Sequence, residues 1–307
     1  MRRATTYIFA VIVTVTAFAL VSVHAHADSP PSKILTITPT TVKPTINPGS
    51  STRGNFQIIN QGSQAYSAYI YSAPYSVQGE AYTPDFAPLP GHSNIADWLK
   101  FTAAKATVKP GQTLDVPYTV TVPVGTQPGG YYAVAFVETQ TGKSKQGVII
   151  NERVGEIFYI TVAGHVKNAG KLLSWASPFL QKPPLTAALR LENDGGIHYV
   201  SDIHISVQDI LGHSKYDLTT QKVILPQTIR HIPVSWDAAP PFGLFKVTGT
   251  ITVLGKPQSL DTKYVLVASQ GVRIAGLGII AVLATFFGSR TLARHKSKRK
   301  QSDKSAS

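Results

Sequence analysis

Residues 109–136 read KPGQTLDVPYTVTVPVGTQPGGYYAVAF, and residues 225–250 read LPQTIRHIPVSWDAAPPFGLFKVTGT. In each stretch a proline opens a turn and a second proline follows seven residues later, Pro110 to Pro117 and Pro226 to Pro233. Side chains alternate across a strand, so Tyr118 and Val120 share one face, as Val234 and Trp236 do. The loops that follow differ by three residues: Gly130 lies 20 after Pro110 and Gly243 lies 17 after Pro226. Such a difference is cheap in a surface loop. Beyond the glycines, Tyr132, Val134 and Phe136 are matched to Phe245, Val247 and Gly249. A slip of one residue turns every inward side chain outward, so agreement of register implies a shared plan.

The surrounding sequence has the same character. Short alternating runs such as NFQIIN, AYSAYIYSA, EIFYITV, TAALRLEN, SDIHISVQD and KVTGTITV are each bounded by Gly, Pro, Asn or Asp, and none shows a sustained helical period. The expected fold is all-β: two tandem immunoglobulin-like β-sandwich domains, 28–165 and 166–268, with GHVKNAGK as the linker.

The ends differ from the middle. The segment MRRATTYIFAVIVTVTAFALVSVHAHA places two arginines before an apolar run and ends in Ala25-His26-Ala27, the pattern of a secretory leader (1–27) cut after Ala27. An uncut anchor is the alternative. Near the other end, sixteen uncharged residues separate Arg273 from Arg290. A transmembrane helix over 269–289 is expected, followed by a basic cytoplasmic tail, 290–307, that obeys the positive-inside rule. Either leader reading leaves 28–268 outside a single-pass cell membrane protein.

The net charge of +13 suggests nucleic acid until it is divided along the chain, because seven of the 29 Lys and Arg residues follow Ser289. The middle is only mildly basic, and nucleic acid is not an expected partner. With no cysteine there is no disulfide, thiolate metal site or cysteine nucleophile.

Four segments, INPGSSTRGNFQIINQGSQAYSAYIYSAPYSV, NIADWLKF, VKPGQTLDVPYTVTVPVGTQPGGYYAVAFVET and ERVGEIFYITV, together resemble the peptidoglycan-binding domain of the WxL-interacting proteins of Gram-positive bacteria. The resemblance covers roughly residues 34–162; in the second half it is limited to LENDGGIHY and LPQTIRHIPVSW. It implies a leader, two immunoglobulin-like domains, an anchor, binding to peptidoglycan or another wall polymer, and WxL-type surface proteins as partners.

Chemical signatures are sparse. LPQTI at 225–229 lacks the glycine a sorting signal needs after threonine and reads as a turn entering a strand. Asp202, His204 and Ser206 lie side by side on one strand face, whereas a catalytic triad converges on a nucleophile. Glu152 and Glu156 are the nearest pair of carboxylates for glycan hydrolysis, and they read as a solvated strand end. ENDGG at 192–196 reads as a turn. No metal spacing and no cofactor motif is present. Residues 73–101 carry five aromatics without strand alternation, and loops on a rigid scaffold commonly bear function. From them Tyr75, Tyr82 and Trp98 are the candidate contacts to wall glycan. The expected function is therefore non-enzymatic binding of wall polymer or surface proteins. An exported wall hydrolase and a strand-exchanging module of surface-fibre assembly are the alternatives.

Overall fold

Alternating apolar residues bury one face of each strand, and the strands pair face to face around them. The computed structural model describes residues 35–88, 95–140 and 151–285. The expected leader, the last part of the expected span (286–289) and the basic tail lie outside the described residues.

In chain order the first half contributes β1 (Leu35–Thr38), β2 (Thr41–Val42), β3 (Thr45–Ile46), β4 (Ser51–Asn60), β5 (Tyr66–Pro74), β6 (Ser76–Gln78), β7 (Thr83–Asp85), β8 (Leu99–Phe101), β9 (Lys105–Val108), β10 (Thr113–Thr121), β11 (Gly129–Gln140) and β12 (Asn151–Val162). One sheet has the order β1-β4-β10-β8, and the facing one β2-β12-β11-β5-β9 with β3 also on β12. Phe56, Ile58, Val120, Phe158 and Ile160 are fully buried between them. β6 and β7 form a separate two-stranded ribbon.

The second half contributes β13 (Gly170–Ala176), β14 (Leu180–Gln181), β15 (Leu185–Asn193), β16 (Tyr199–Asp209), β17 (Ser214–Ile224), β18 (Thr228–Trp236), β19 (Phe242–Val253) and β20 (Lys256–Ala268). Sheets β13-β15-β18 and β14-β20-β19-β16-β17 enclose a second core built on Leu189, Leu191, Ile203, Ile205, Val247 and Val265. A helix over 270–285 follows. Among the described residues no helix is long and apolar enough to cross a membrane.

The two halves repeat one device. Asn60 ends β4 and Asn193 ends β15, and both are buried. The Asn60 side chain donates to the carbonyls of Gln64 (2.8 Å) and Val108 (3.1 Å) and accepts from the Gly62 N–H at 3.0 Å. Asn193 donates to Ile197 (2.9 Å) and Ile224 (2.8 Å) and accepts from Gly195 at 2.9 Å. Six residues on, the hydroxyls of Tyr66 and Tyr199 donate back to the carbonyls of Ile59 and Glu192. Each asparagine thus satisfies backbone groups that neither sheet can reach. The carbonyls of Val108 and Ile224 lie two residues before Pro110 and Pro226, whose turns continue through Gly111 (φ 70°) and Gln227 (φ 56°). The strands that follow pair in the same register, Pro117 opposite Asn55 and Pro233 opposite Ala188.

The expected match of Gly130 with Gly243 is one residue out. Ala133, Ala135 and Val137 face the first core, and Phe245 and Val247 face the second, so Gly129 is the counterpart of Gly243. Tyr132, Val134 and Phe136 face away from the core. They look like core residues in sequence because the segment carrying β6 and β7 folds over that outer face and buries it as well.

Glu156 lies on the inner face of β12, fully buried, and neither carboxyl oxygen has a hydrogen-bond partner among the described residues. Burial pushes its pKa up from 4.5 to about 8. The unfolded chain releases this proton first, so the stability tied to the neutral acid is present below about pH 4.5 and is lost as pH rises through 8. In a pH series of urea titrations, Glu156→Gln is expected to flatten that decline; an unchanged slope would show that the carboxyl is not buried. Asn60→Ala and Asn193→Ala are each expected to cost about 2–3 kcal/mol, because buried carbonyls lose their donors. Denaturant midpoints within error of the parent would remove the clamp from the account.

Candidate functional site: the cleft between the two sandwiches

The segment after β5 determines how the halves meet. The chain leaves the sheet at Pro74, runs out along β6, turns at Gly79 to Tyr82, and returns along β7. Tyr82 takes the left-handed conformation at φ 59°, which few non-glycine residues adopt. That conformation carries its side chain into the second half. The Leu225 N–H donates to its hydroxyl at 3.0 Å, and the same hydroxyl bonds Thr228 Oγ1. The Arg230 guanidinium lies 4.3 Å from its ring centre. Two residues earlier, Glu80 forms a two-pronged ion pair with Arg190, and its carbonyl accepts from the His231 N–H at 2.8 Å. The guanidinium holds the Glu80 carboxyl below its ordinary pKa.

Around these polar ties lies a small apolar seam of Tyr75, Tyr82, Tyr159 and Leu225. Ring contacts extend it in both directions. Phe86 meets Phe136 at 4.9 Å on the outer face of the first sandwich, and Tyr132 and Tyr159 meet His198 of the second at 5.7 and 5.2 Å. Such pairs add about 0.5–1.5 kcal/mol each beyond the area they bury. The His198 N–H donates to Tyr132 Oη at 3.0 Å, and the Gly130 N–H donates to the Gly196 carbonyl at 2.9 Å. Burial, helped by repulsion from Lys43, lowers the His198 pKa from 6.5 to about 4, so its imidazole is neutral at physiological pH.

Two clefts flank the ribbon. One, of about 390 Å3, is of mixed character and includes Glu80, Glu192 and Asp194 beside Val77 and Ile229. The other, of about 410 Å3, is lined by Tyr75, Pro128, Tyr131 and Tyr132 of the first half and by Leu225 and Pro226 of the second. Among the described residues no charged side chain lines this second cleft. Among the described residues no cluster of His, Asp and Glu is placed to hold a metal.

Of the residues read as glycan contacts, Tyr75 and Tyr82 lie in this seam and Trp98 in the core of the first sandwich, and none is an open platform. Tyr75, Tyr82 and Trp98 are only 9%, 8% and 4% exposed. Tyr75 packs on Phe86 and Tyr159, Tyr82 lies under Arg230, and Trp98 rests on Tyr131 at 4.8 Å. Their faces are occupied by protein, so none is free to stack on a sugar. Glu152 and Glu156 are four residues apart on one strand, about 13 Å at the usual rise and beyond the roughly 5–9.5 Å that glycoside hydrolysis needs. Asp202 and His204 are exposed and bond neighbouring strand residues, Gln221, Thr252 and Thr219. The sequence reading missed Tyr132 and Arg190, whose roles depend on contacts across the two halves, and Tyr131, which lines the second cleft.

No protein-family model and no curated protein sequence matches the chain. Solved structures with a similar fold include the YadV chaperone (12% identity, 76% of this chain and 99% of that one, TM-score 0.41). Another is the CsuC–CsuE chaperone–tip adhesin pre-assembly complex of Acinetobacter baumannii (11%, 77% and 99%, 0.40). A third is a PapD-like domain of human CEP192 (16%, 45% and 90%, 0.31). These likenesses concern the β-sandwich fold alone. The resemblance to the WxL-interacting proteins is corrected by these findings: no family model and no curated sequence matches the chain, so none supports it. The segments that suggested it are turn and strand patterns, which an unrelated immunoglobulin-like sandwich also needs.

Tyr82→Phe keeps the ring and removes the acceptor of the Leu225 N–H, a loss of about 1–2 kcal/mol at a buried site. The Leu225 amide is expected to exchange its hydrogen faster in the variant while Val120 and Ile205 keep their protection. Equal rates at Leu225 in both proteins would show that this hydroxyl does not tie the halves together.

Proposed function

We propose that this chain is a non-catalytic surface module, anchored by its C-terminal helix, that holds an extended uncharged segment of a partner surface protein in the cleft between its sandwiches. In this reading it serves the assembly of surface structures. The supporting observation is the lining of that cleft, where Tyr75, Pro128, Tyr131 and Tyr132 of the first half face Leu225 and Pro226 of the second, and no lining side chain among the described residues is charged. Aromatic and proline walls suit an extended polypeptide, as pockets at domain interfaces commonly do. A hydrolase would need an acid and a base there, and a polyanionic wall polymer would need cations. The working division is a leader at 1–27, sandwiches at 28–165 and 166–268, an anchor at 269–289 and a cytoplasmic tail at 290–307, with the cleft outside the cell membrane.

The test places a photoreactive benzoylphenylalanine at Tyr131 in the full chain, displayed on its producing cells. Protease-sensitive cross-links to another surface polypeptide are expected at Tyr131. They should be absent when the probe is moved to Gln258, and should drop about tenfold when Leu225→Asp is added, as for a central contact. Cross-links that respond only to glycan-cleaving enzymes would contradict the proposal.

A further inference from the structure

Large apolar side chains that remain exposed are concentrated in one region. Among the described residues outside the helix they are Val124, Phe179, Leu180, Ile210, Leu211, Phe242, Leu244 and Tyr264, and all of these but Val124 belong to the second half. The register brings these seven to one end of the second sandwich. Asp209 pairs with Phe245, so the hairpin tip holding Ile210 (71% exposed) and Leu211 (77%) lies beside the start of β19. Phe242 (61%) opposes Ala268, and Leu244 opposes Leu266, which also pairs with Leu180. Phe179 (60%) precedes Leu180, and its carbonyl accepts from the Leu266 N–H. Tyr264 lies one strand repeat further up.

The helix leaves from this same end, and no flexible linker separates it from the sandwich. A single residue, Ser269, lies between β20 and the helix, and its N–H donates to Pro241 at 2.7 Å. Arg273 in the first turn donates from Nε to the Ala268 carbonyl at 2.8 Å. Beyond it Ile274, Leu277, Ile280 and Leu283 are exposed on the helix. Lys182 and Lys246 flank the apolar end, beside Leu180 and Tyr264. Scattered exposed apolar residues need no explanation, but a contiguous patch on a soluble face does. Aliphatic and aromatic tips with flanking lysines, continuous with an apolar helix, match the headgroup boundary of a bilayer, where such residues anchor and anionic lipids attract cations.

We propose that this end of the second sandwich lies in the headgroup layer of the membrane holding the helix, with Ile210–Leu211 and Phe242 inserted, so that the ectodomain is seated on the lipid and not tethered above it. The proposal rests on the anchored reading and adds a lipid-contacting surface to it. The cleft is then held at the far end of β16, whose eleven residues span roughly 35 Å.

The absence of native cysteine allows single reporters. The full chain carrying Leu211→Cys, Phe242→Cys or, at the opposite end, Gln258→Cys is labelled with an environment-sensitive fluorophore. It is then reconstituted into vesicles of phosphatidylcholine and phosphatidylglycerol containing a headgroup nitroxide lipid. Quenching by roughly twofold or more at 211 and 242, with none at 258, is the expected result. If the chain floats with the vesicles while 211 and 242 stay as bright as 258, the seated surface is wrong and the anchor survives. If the chain does not float at all, both fail together.

Discussion

The relation between the two sandwiches centres on the side chain of Tyr82, which crosses from the first to the second. Tyr82, held at positive φ by its turn, carries its ring and hydroxyl to Leu225, Thr228 and Arg230. Without cysteine, no covalent brace can fix the halves. Their geometry rests on this contact, the Glu80–Arg190 pair and the aromatic seam around them. The cleft walls come from both halves, so the shape of the candidate site is a consequence of that seam.

Within each half the stabilising logic is the same. A buried asparagine at the end of one strand closes the turn that follows it and clamps the strand end ahead of a proline turn. This allows the edges of two sheets to meet without unsatisfied backbone groups. Glu156 runs against this economy, since a buried carboxyl without a partner lowers stability once it must ionise. Its place on the inner face of β12 is occupied at a cost in stability, and nothing in the described structure repays that cost.

Much of the sandwich plan was legible in the sequence. Tyr118 and Val120 point inward, as do Ile203, Ile205 and Val207, because strand alternation reports burial directly when only one face is covered. The proline turns aligned for the same reason. Alternation failed at Tyr132, Val134 and Phe136, where a second layer covers the outer face and both faces read as apolar. The Asn-x-Gly-x-x-x-Tyr spacing, Asn60 to Tyr66 and Asn193 to Tyr199, stood in the sequence as a second mark of the repeat. Of the site, the rings singled out in the aromatic segment are packing groups. Their partners, Arg230, Phe86 and Tyr131, lie on other elements, and contacts of that kind leave no periodic trace.

A fixed seam has a consequence that distance measurements read directly. With spin labels on cysteines introduced at Lys100 in the first sandwich and Gln258 in the second, pulsed electron resonance of the otherwise cysteine-free chain should give one narrow distance distribution. That distribution should broaden when Tyr82→Ala is added. A broad or multiple distribution in the parent would mean that the halves move independently, that no lasting cleft exists between them, and that the account given for its lining is wrong.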